Sequence, residues 1–420
     1  MKGFLRAVST PTARSSAFYY FGNFVLSFSR YLFHLVLLRL LAPPEYGEFL
    51  SYLSLIYLLG IPTGTIGTIV TKFVSGFKGK GDTDSINQFF YYLLRKITPV
   101  AFIVGLALMA LSSPLASIFK ANTMAFVILG ISVFISLFQT IINSYIIAFQ
   151  KFVYQTTVGL LSVVITIFLS ILFIKMGLGA TGAVLGQLLA GIITSTILFF
   201  SISQSVFPRI QQSTKPKFNL SGFTGYSFIY ALGTASLIST DILMVRALFD
   251  QHTSGLYSSL SILGRMILFG LTPLCALVLP IASHRHAQKT NTDTVFVKLG
   301  IAIFVFGALG AGIFSFFPVQ IITLLSGSAY LEAAPLLPFF AFSMAFLAFS
   351  QFIISYFLAT GRPQATIFLL LATIFQPLVI LLCRSSLTTT VYASFFLQLA
   401  LFVALLIYAY TGRLRVQKQI

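Results

Sequence analysis

Residues 34–49 read HLVLLRLLAPPEYGEF and residues 241–257 read DILMVRALFDQHTSGLY. Laid over each other with a one-residue gap, His34 falls on Asp241, Arg39 on Arg246 and Gly47 on Gly255. Apolar text matches cheaply, so the weight rests on the polar, Gly and Pro anchors. They continue in order. Arg95 falls on Lys298, Pro114 on Pro318, and NSYIIAFQK (143–151) on ISYFLATGR (354–362), with offsets between 203 and 211. The chain reads as two copies of one unit.

The solvent of that unit is lipid. Of 420 residues, 57% are hydrophobic and 8% charged, with a mean hydropathy of +0.97; soluble domains are about a quarter charged. Apolar runs of about 20 residues recur along nearly the whole chain, the signature of helical spans rather than of a β-barrel. Twelve spans are expected, at about 16–41, 47–75, 92–113, 123–149, 153–175, 179–203, 222–248, 254–282, 295–317, 332–359, 364–384 and 389–411. Six spans per copy give both copies one orientation, a parallel repeat about an axis along the membrane normal. The predicted fold is an all-α polytopic membrane protein of two six-helix lobes. The N-lobe covers 1–203, a linker 204–221, and the C-lobe with a short basic tail 222–420. The basic N-terminal stretch lacks a small-residue cleavage site after a short apolar core, so the first run reads as a retained helix.

Net charge is +18, from 26 Lys and Arg against 8 acids. The basic residues lie in short segments between apolar runs, which argues against nucleic acid and for membrane orientation. With both termini cytoplasmic, nineteen of the 26 fall on the inner side. Arg39, Lys120, Lys175, Arg246 and Arg384 fall on the outer side, and Arg30 and Arg265 remain inside spans. Connectors are too short for a catalytic domain. Phosphate loops, paired catalytic carboxylates, zinc spacings and nucleophile elbows are absent from the sequence. No catalytic residue, metal site or cofactor is expected. Cys275 and Cys383 lie in apolar runs and read as small core residues.

Polar residues inside the spans are the candidate site. Asn23, Ser27, Arg30 and His34 lie within roughly a 60° arc of one helix at about 100° per residue. Arg30 is roughly 16 Å from the outer end of its span at about 1.5 Å per residue. Such a charge must face protein or water. It is either a ligand-facing cation or a structural Arg bonded to neighbouring carbonyls. Ser254, Ser258, Ser261, Arg265 and Thr272 repeat the pattern in the eighth span, and Ser227, Thr234 and Asp241 form a looser stripe in the seventh. Asp241 either pairs with Arg265 or responds to protons or cations. His34, at the matching position, either titrates near neutral pH or is held neutral. Arg39 and Arg246 point away from these stripes and are expected to snorkel to head groups. Pro62 and Pro273 are candidate hinges or static kinks.

The turn LLAPPEYGEFLSYLSLI (40–56) resembles the Leu-x-Pro-x-x-Tyr-Gly turn of the polysaccharide transporter family, within the multidrug/oligosaccharidyl-lipid/polysaccharide exporter superfamily. STDILMVRALFDQHTSGLYSSLSIL (239–263) resembles that family's seventh-to-eighth helix segment, and SYFLATGRP (355–363) its turn after the tenth span. The twelve-span, acid-poor pattern is similar to the Wzx-type O-antigen flippases. The resemblance implies alternating-access transfer of an undecaprenyl-pyrophosphate-linked oligosaccharide across the bacterial inner membrane, with both termini cytoplasmic. It implies a monomer whose partners are that lipid-linked substrate, membrane lipids and a polysaccharide polymerase complex. Arg30 and Arg265, with Asn23, Ser27, His34, Ser258 and Ser261, are then the expected substrate contacts. Asp241, His34, Pro62 and Pro273 are the expected coupling or gating residues. Alternatives are another lipid-linked glycan flippase, a cation-coupled multidrug exporter with Asp241 as coupling site, or a membrane glycosyltransferase, polymerase or ligase.

Overall fold

A computed structural model describes residues 11–206, 225–288, 290 and 292–417. The expected linker at 204–221 falls almost wholly outside these residues. Among them there is no strand. In hydrocarbon each backbone N–H and C=O must be paired within the segment, which a helix achieves and an isolated strand does not.

Sixteen α-helices follow in order. They are α1 (Pro11–Leu40), α2 (Pro43–Leu59), α3 (Ile61–Gly79), α4 (Thr83–Ala110), α5 (Ser112–Ile118), α6 (Thr123–Ala148), α7 (Phe152–Phe173), α8 (Gly179–Val206), α9 (Gly225–Leu237), α10 (Thr240–Leu248), α11 (Gln251–Ala287), α12 (Asp293–Phe316), α13 (Pro318–Leu325), α14 (Leu337–Ala359), α15 (Thr366–Leu382) and α16 (Leu387–Gln417). Nine described stretches are long and apolar enough to cross a membrane, and ten if the bent pair α2–α3 is one span. One of the nine, Phe152–Ser201, contains both α7 and α8. They part at Gly177, whose φ of 87° suits a residue without a Cβ. Counting these two separately and adding α1 recovers the expected twelve.

The helix ends have local causes. Asp82 caps α4, its Oδ1 accepting the Ser85 N–H at 2.9 Å and its Oδ2 the Ser85 hydroxyl at 2.6 Å. Asn122 caps α6 through the Met124 N–H at 2.8 Å. α2 and α3 part at Gly60, with Pro62 in the first turn of α3. Ser and Thr inside the spans bond back to their own helix, as Ser132 does to the Ile128 carbonyl and Thr140 to the Ser136 carbonyl, both at 2.8 Å.

The Asp82 cap yields a pH prediction. The Ser85 hydroxyl, then the Ser85 N–H, hold its carboxyl below the ordinary value of 3.8. A depressed folded value means that the cap is fully present above the unfolded value and is lost as pH falls through the folded one. Acidification through that folded value, below 3.8, will therefore lower the hydrogen-exchange protection factors of residues 83–87, and Asp82→Ala will do so at neutral pH. Equal exchange in variant and wild type at pH 7 would remove the cap from the account.

The chain forms two compact units, Met1–Leu41 with Leu59–Gly222, and Ala42–Leu58 with Phe223–Ile420. Within the first, α1 packs on α7, α3 on α6, α4 on α6, α6 on α8 and α7 on α8. Within the second, α9 packs on α15, α11 on α14, α12 on α14, α14 on α16 and α15 on α16. Taken in span order, the two sets of pairs are the same. The matched anchors also do the same local work. Pro114 lies in the short α5 and Pro318 opens the short α13, each after a long span. Tyr145 donates to the Ile86 carbonyl near the start of α4 at 3.0 Å, and Tyr356 to the Asp293 carboxylate at the start of α12 at 3.3 Å. In unit 1, α4 and α6 approach so closely that a Cβ on Gly130 would stand 2.6 Å from the Gly105 carbonyl oxygen, the small-residue packing that membrane helices favour.

Candidate functional site

The expected seventh span is broken in two. α9 ends at Leu237, α10 begins at Thr240, and Ile238 and Ser239 between them leave the regular helix. A helix end strands carbonyls that must find donors. Two side chains from other helices supply them. Gln376 Nε2 of α15 donates to the Leu237 carbonyl at 3.0 Å, and Arg265 Nη2 of α11 donates to the Ile238 carbonyl.

The break also gives Asp241 its surroundings. It lies in the first turn of α10, where the helix dipole favours a negative charge. Its Oδ1 is 3.4 Å from Arg265 Nη2, and its Oδ2 accepts the Tyr257 hydroxyl at 2.9 Å. Asp241 and Arg265 are each only 2% exposed. The ion pair that the sequence allowed between them is formed. Tyr257 and Gln376 are not among the residues that the sequence singles out. The Ser236–Thr240–Asp241 cluster within an apolar run is the signal for the break, since such residues favour helix starts over helix interiors.

A second cluster joins the two repeats at their matched turns. Arg246, expected to snorkel, is instead 1% exposed. Its Nη1 donates to the Pro44 carbonyl and to Ser254 Oγ, both at 3.0 Å. It turns inward because the start of α2 returns there and the Pro44 carbonyl, which has a second lone pair beyond its helix bond, accepts its N–H. Gly47 and Gly255, matched in the alignment, touch. A Cβ on Gly255 would stand 1.9 Å from the Pro43 carbonyl oxygen, and one on Gly47 2.9 Å from the Gly255 nitrogen. Tyr46 meets Tyr330 edge to face at 6.3 Å. Tyr52 donates to the Glu48 carboxylate, so Glu48 is half-buried rather than fully solvated. The segment Ala42–Leu58 thus belongs to unit 2, although Leu41 and Leu59 on either side belong to unit 1.

The polar stripe of α1 divides. Ser27 and Arg30 are exposed, and among the described residues Arg30 has no hydrogen-bond or ion-pair partner. His34 is buried, with its ring 6.4 Å from Tyr31 and 5.9 Å from Phe33. The side chains of Asn23, Ser227 and Pro273 lie outside the described residues; the backbone of α11 runs through Pro273 without a break. Ser258 is buried and bonds back to the Ser254 carbonyl at 2.8 Å, and Ser261 is fully buried. Arg30 is therefore open at the surface of the described residues, whereas Arg265, Ser258 and Ser261 are enclosed by their own unit. Among the described residues no group of three His, Cys, Asp or Glu is placed to hold a metal ion.

Solved structures share this helical fold. The chain is similar to a multidrug resistance transporter of the MATE family, MOP superfamily, in its inward-facing conformation. The TM-score is 0.75 at 12% identity, over 92% of this chain and 94% of that one. An outward-facing structure of a MATE family transporter gives 0.63 at 12% identity, covering 98% of each chain. A MOP superfamily transporter from Pyrococcus furiosus, described as having a binding pocket of reverse polarity, gives 0.64 at 15% identity, over 97% of this chain and 95% of that one. No curated protein matches the sequence. The family model "Polysaccharide biosynthesis protein" matches residues 36–335. The chain is a membrane protein that belongs to this polysaccharide biosynthesis family.

Proposed function

We propose that this protein moves a lipid-linked oligosaccharide from the cytoplasmic to the periplasmic leaflet by alternating access. The observation that carries the reading is the conjunction of a polysaccharide biosynthesis family with an exporter fold. In this reading it acts as a monomer in the bacterial inner membrane, with both termini cytoplasmic, and delivers to a polysaccharide polymerase. The substrate's anionic pyrophosphate meets Arg30, whose planar guanidinium matches phosphate oxygens in a way an ammonium does not. Ser27 stands on the same face of α1, toward the sugar hydroxyls. Arg265 acts within unit 2, by holding Asp241 and the broken α9–α10 in place.

The test is export of surface polysaccharide in cells that lack their own flippase. Arg30→Ala is expected to abolish export at unchanged protein level, because the side chain is exposed and no described group depends on it. Arg30→Lys should restore it only in part. Normal export with Arg30→Ala would sink the role of this cation. Failure of wild type to restore export, together with efflux of cationic drugs, would favour the multidrug exporter instead.

A further inference from the structure

Unit 1 contains an apolar groove that neither cluster above uses. Its walls are Phe90, Tyr91 and Leu94 of α4, Phe138, Ile141 and Ile142 of α6, and Phe199 of α8, and it encloses about 230 Å³. No polar atom faces it. A cavity so lined gains nothing from water; a dry cavity of about 150 Å³ in another protein takes up benzene. The groove therefore has room for somewhat more than one such ring, a short length of a single hydrocarbon chain. Four of its seven lining residues are aromatic, and flat ring faces suit planar, methyl-branched units.

The groove sits near the end of unit 1 that the charge bias assigns to the cytoplasm. At about 1.5 Å per residue, Phe90 is roughly 10 Å from the start of α4 and Phe138 roughly 15 Å from the end of α6. The cations at this end fall into two groups. Lys78 Nζ donates to the Phe149 carbonyl at the end of α6 and Lys151 Nζ to the Ser201 carbonyl of α8, both at 2.8 Å, so each already has a partner. Arg95 and Lys96 are exposed, and among the described residues neither has a hydrogen-bond or ion-pair partner. Arg95 follows Tyr91 by four residues, about 40° round the helix, and a helical side chain lies back over the turn before it. Its guanidinium thus falls at the rim of the groove.

A single-chain apolar slot with an unpaired guanidinium at its rim is a receptor for one anionic lipid chain. We propose that the groove holds the first isoprene units of the polyprenyl chain of the incoming substrate, with the phosphate next to it at Arg95 before the head group passes to Arg30. This inference rests on the flippase reading above and adds a place for the lipid tail. The aromatic walls suit the planar, methyl-branched isoprene unit, and the acyl chain of a phospholipid is the competitor that the test must exclude.

The experiment uses the full chain in phosphatidylcholine nanodiscs and a photoactivatable farnesyl phosphate. Labelling is expected on α4, α6 and α8. It should fall at least tenfold with Leu94→Trp, which fills the slot from a half-exposed wall, and severalfold with Arg95→Gln, an exposed change that leaves the fold alone. Unlabelled decaprenyl phosphate should compete and dioleoyl phosphatidylglycerol should not. Labelling that survives both variants overturns the proposal, and so does equal competition by the phospholipid. Arg95→Gln decides the matter if Leu94→Trp fails to fold. The two readings fail differently. Wild type that does not restore export removes the flippase reading, whereas insensitive labelling in a protein that does restore export removes the groove alone.

Discussion

Arg265→Ala will destabilise unit 2 by about 3–5 kcal/mol, the cost of stripping one partner from a buried ion pair. The cause is local. Asp241 would stay at 2% exposure with the Tyr257 hydroxyl and the backbone N–H groups at its helix start but no cation, and the Ile238 carbonyl at the helix break would lose its donor. Asp241→Ala should cost a similar amount, since it leaves the guanidinium enclosed and unpaired. The double change Asp241→Asn with Arg265→Gln removes both charges and keeps polar groups at both places, so it should recover most of the loss. Thermal unfolding of the detergent-purified variants, with expression level alongside, measures all three. Single variants as stable as wild type would show that the pair is dispensable. The contrast with Arg30→Ala is part of the prediction: that change should silence export and leave the melting temperature alone.

Gly255→Ala is the second large effect. The new Cβ would sit 1.9 Å from the Pro43 carbonyl oxygen, 2.2 Å from its carbon and 2.8 Å from its Cα. All three are backbone atoms, so no side chain can swing aside and the start of α2 must move. That movement separates Arg246 from Pro44 as well. The expected loss is about 3 kcal/mol, the upper end for overpacking. Gly270→Ala, on the same helix with nothing within 4 Å of its Cβ position, is the control. It should be neutral or stabilise by about 0.5–1 kcal/mol, as alanine for glycine does inside a helix. A Gly255→Ala protein that melts with the Gly270→Ala control would mean that α2 does not hold this position in solution.

Much of this architecture can be read in one dimension. The Gly47–Gly255 and Pro114–Pro318 matches announce the repeat because they mark backbone events, a close approach and a helix start, that few residue types permit. Polar stripes are legible too, but not what covers them. Arg30 and Arg265 look alike in sequence, each near the middle of a span. They differ because α10 and α14 pack against α11 and enclose Arg265, whereas Arg30 stays exposed. Arg246 misleads for the same reason. Its distance from the span end suggests a head-group anchor, and only the return of Pro44 reveals a carbonyl to bind. The break at Ile238–Ser239 is marked in sequence only by the Ser236–Thr240–Asp241 cluster, which reads equally well as a polar stripe on an unbroken helix.

The membership of α2 in unit 2 has a consequence for biogenesis. Pro44 and Arg246 are 202 residues apart in the chain. At synthesis rates of about 5–20 residues per second, α2 enters the membrane roughly 10–40 s before the residues that receive it exist. During that interval the Pro44 carbonyl has no guanidinium and Gly47 has no opposing glycine. Unit 1 can assemble its own helix pairs in order, but α2 must wait as a guest of the insertion machinery or of the surrounding lipid. The last folding step then belongs to one of the first helices made.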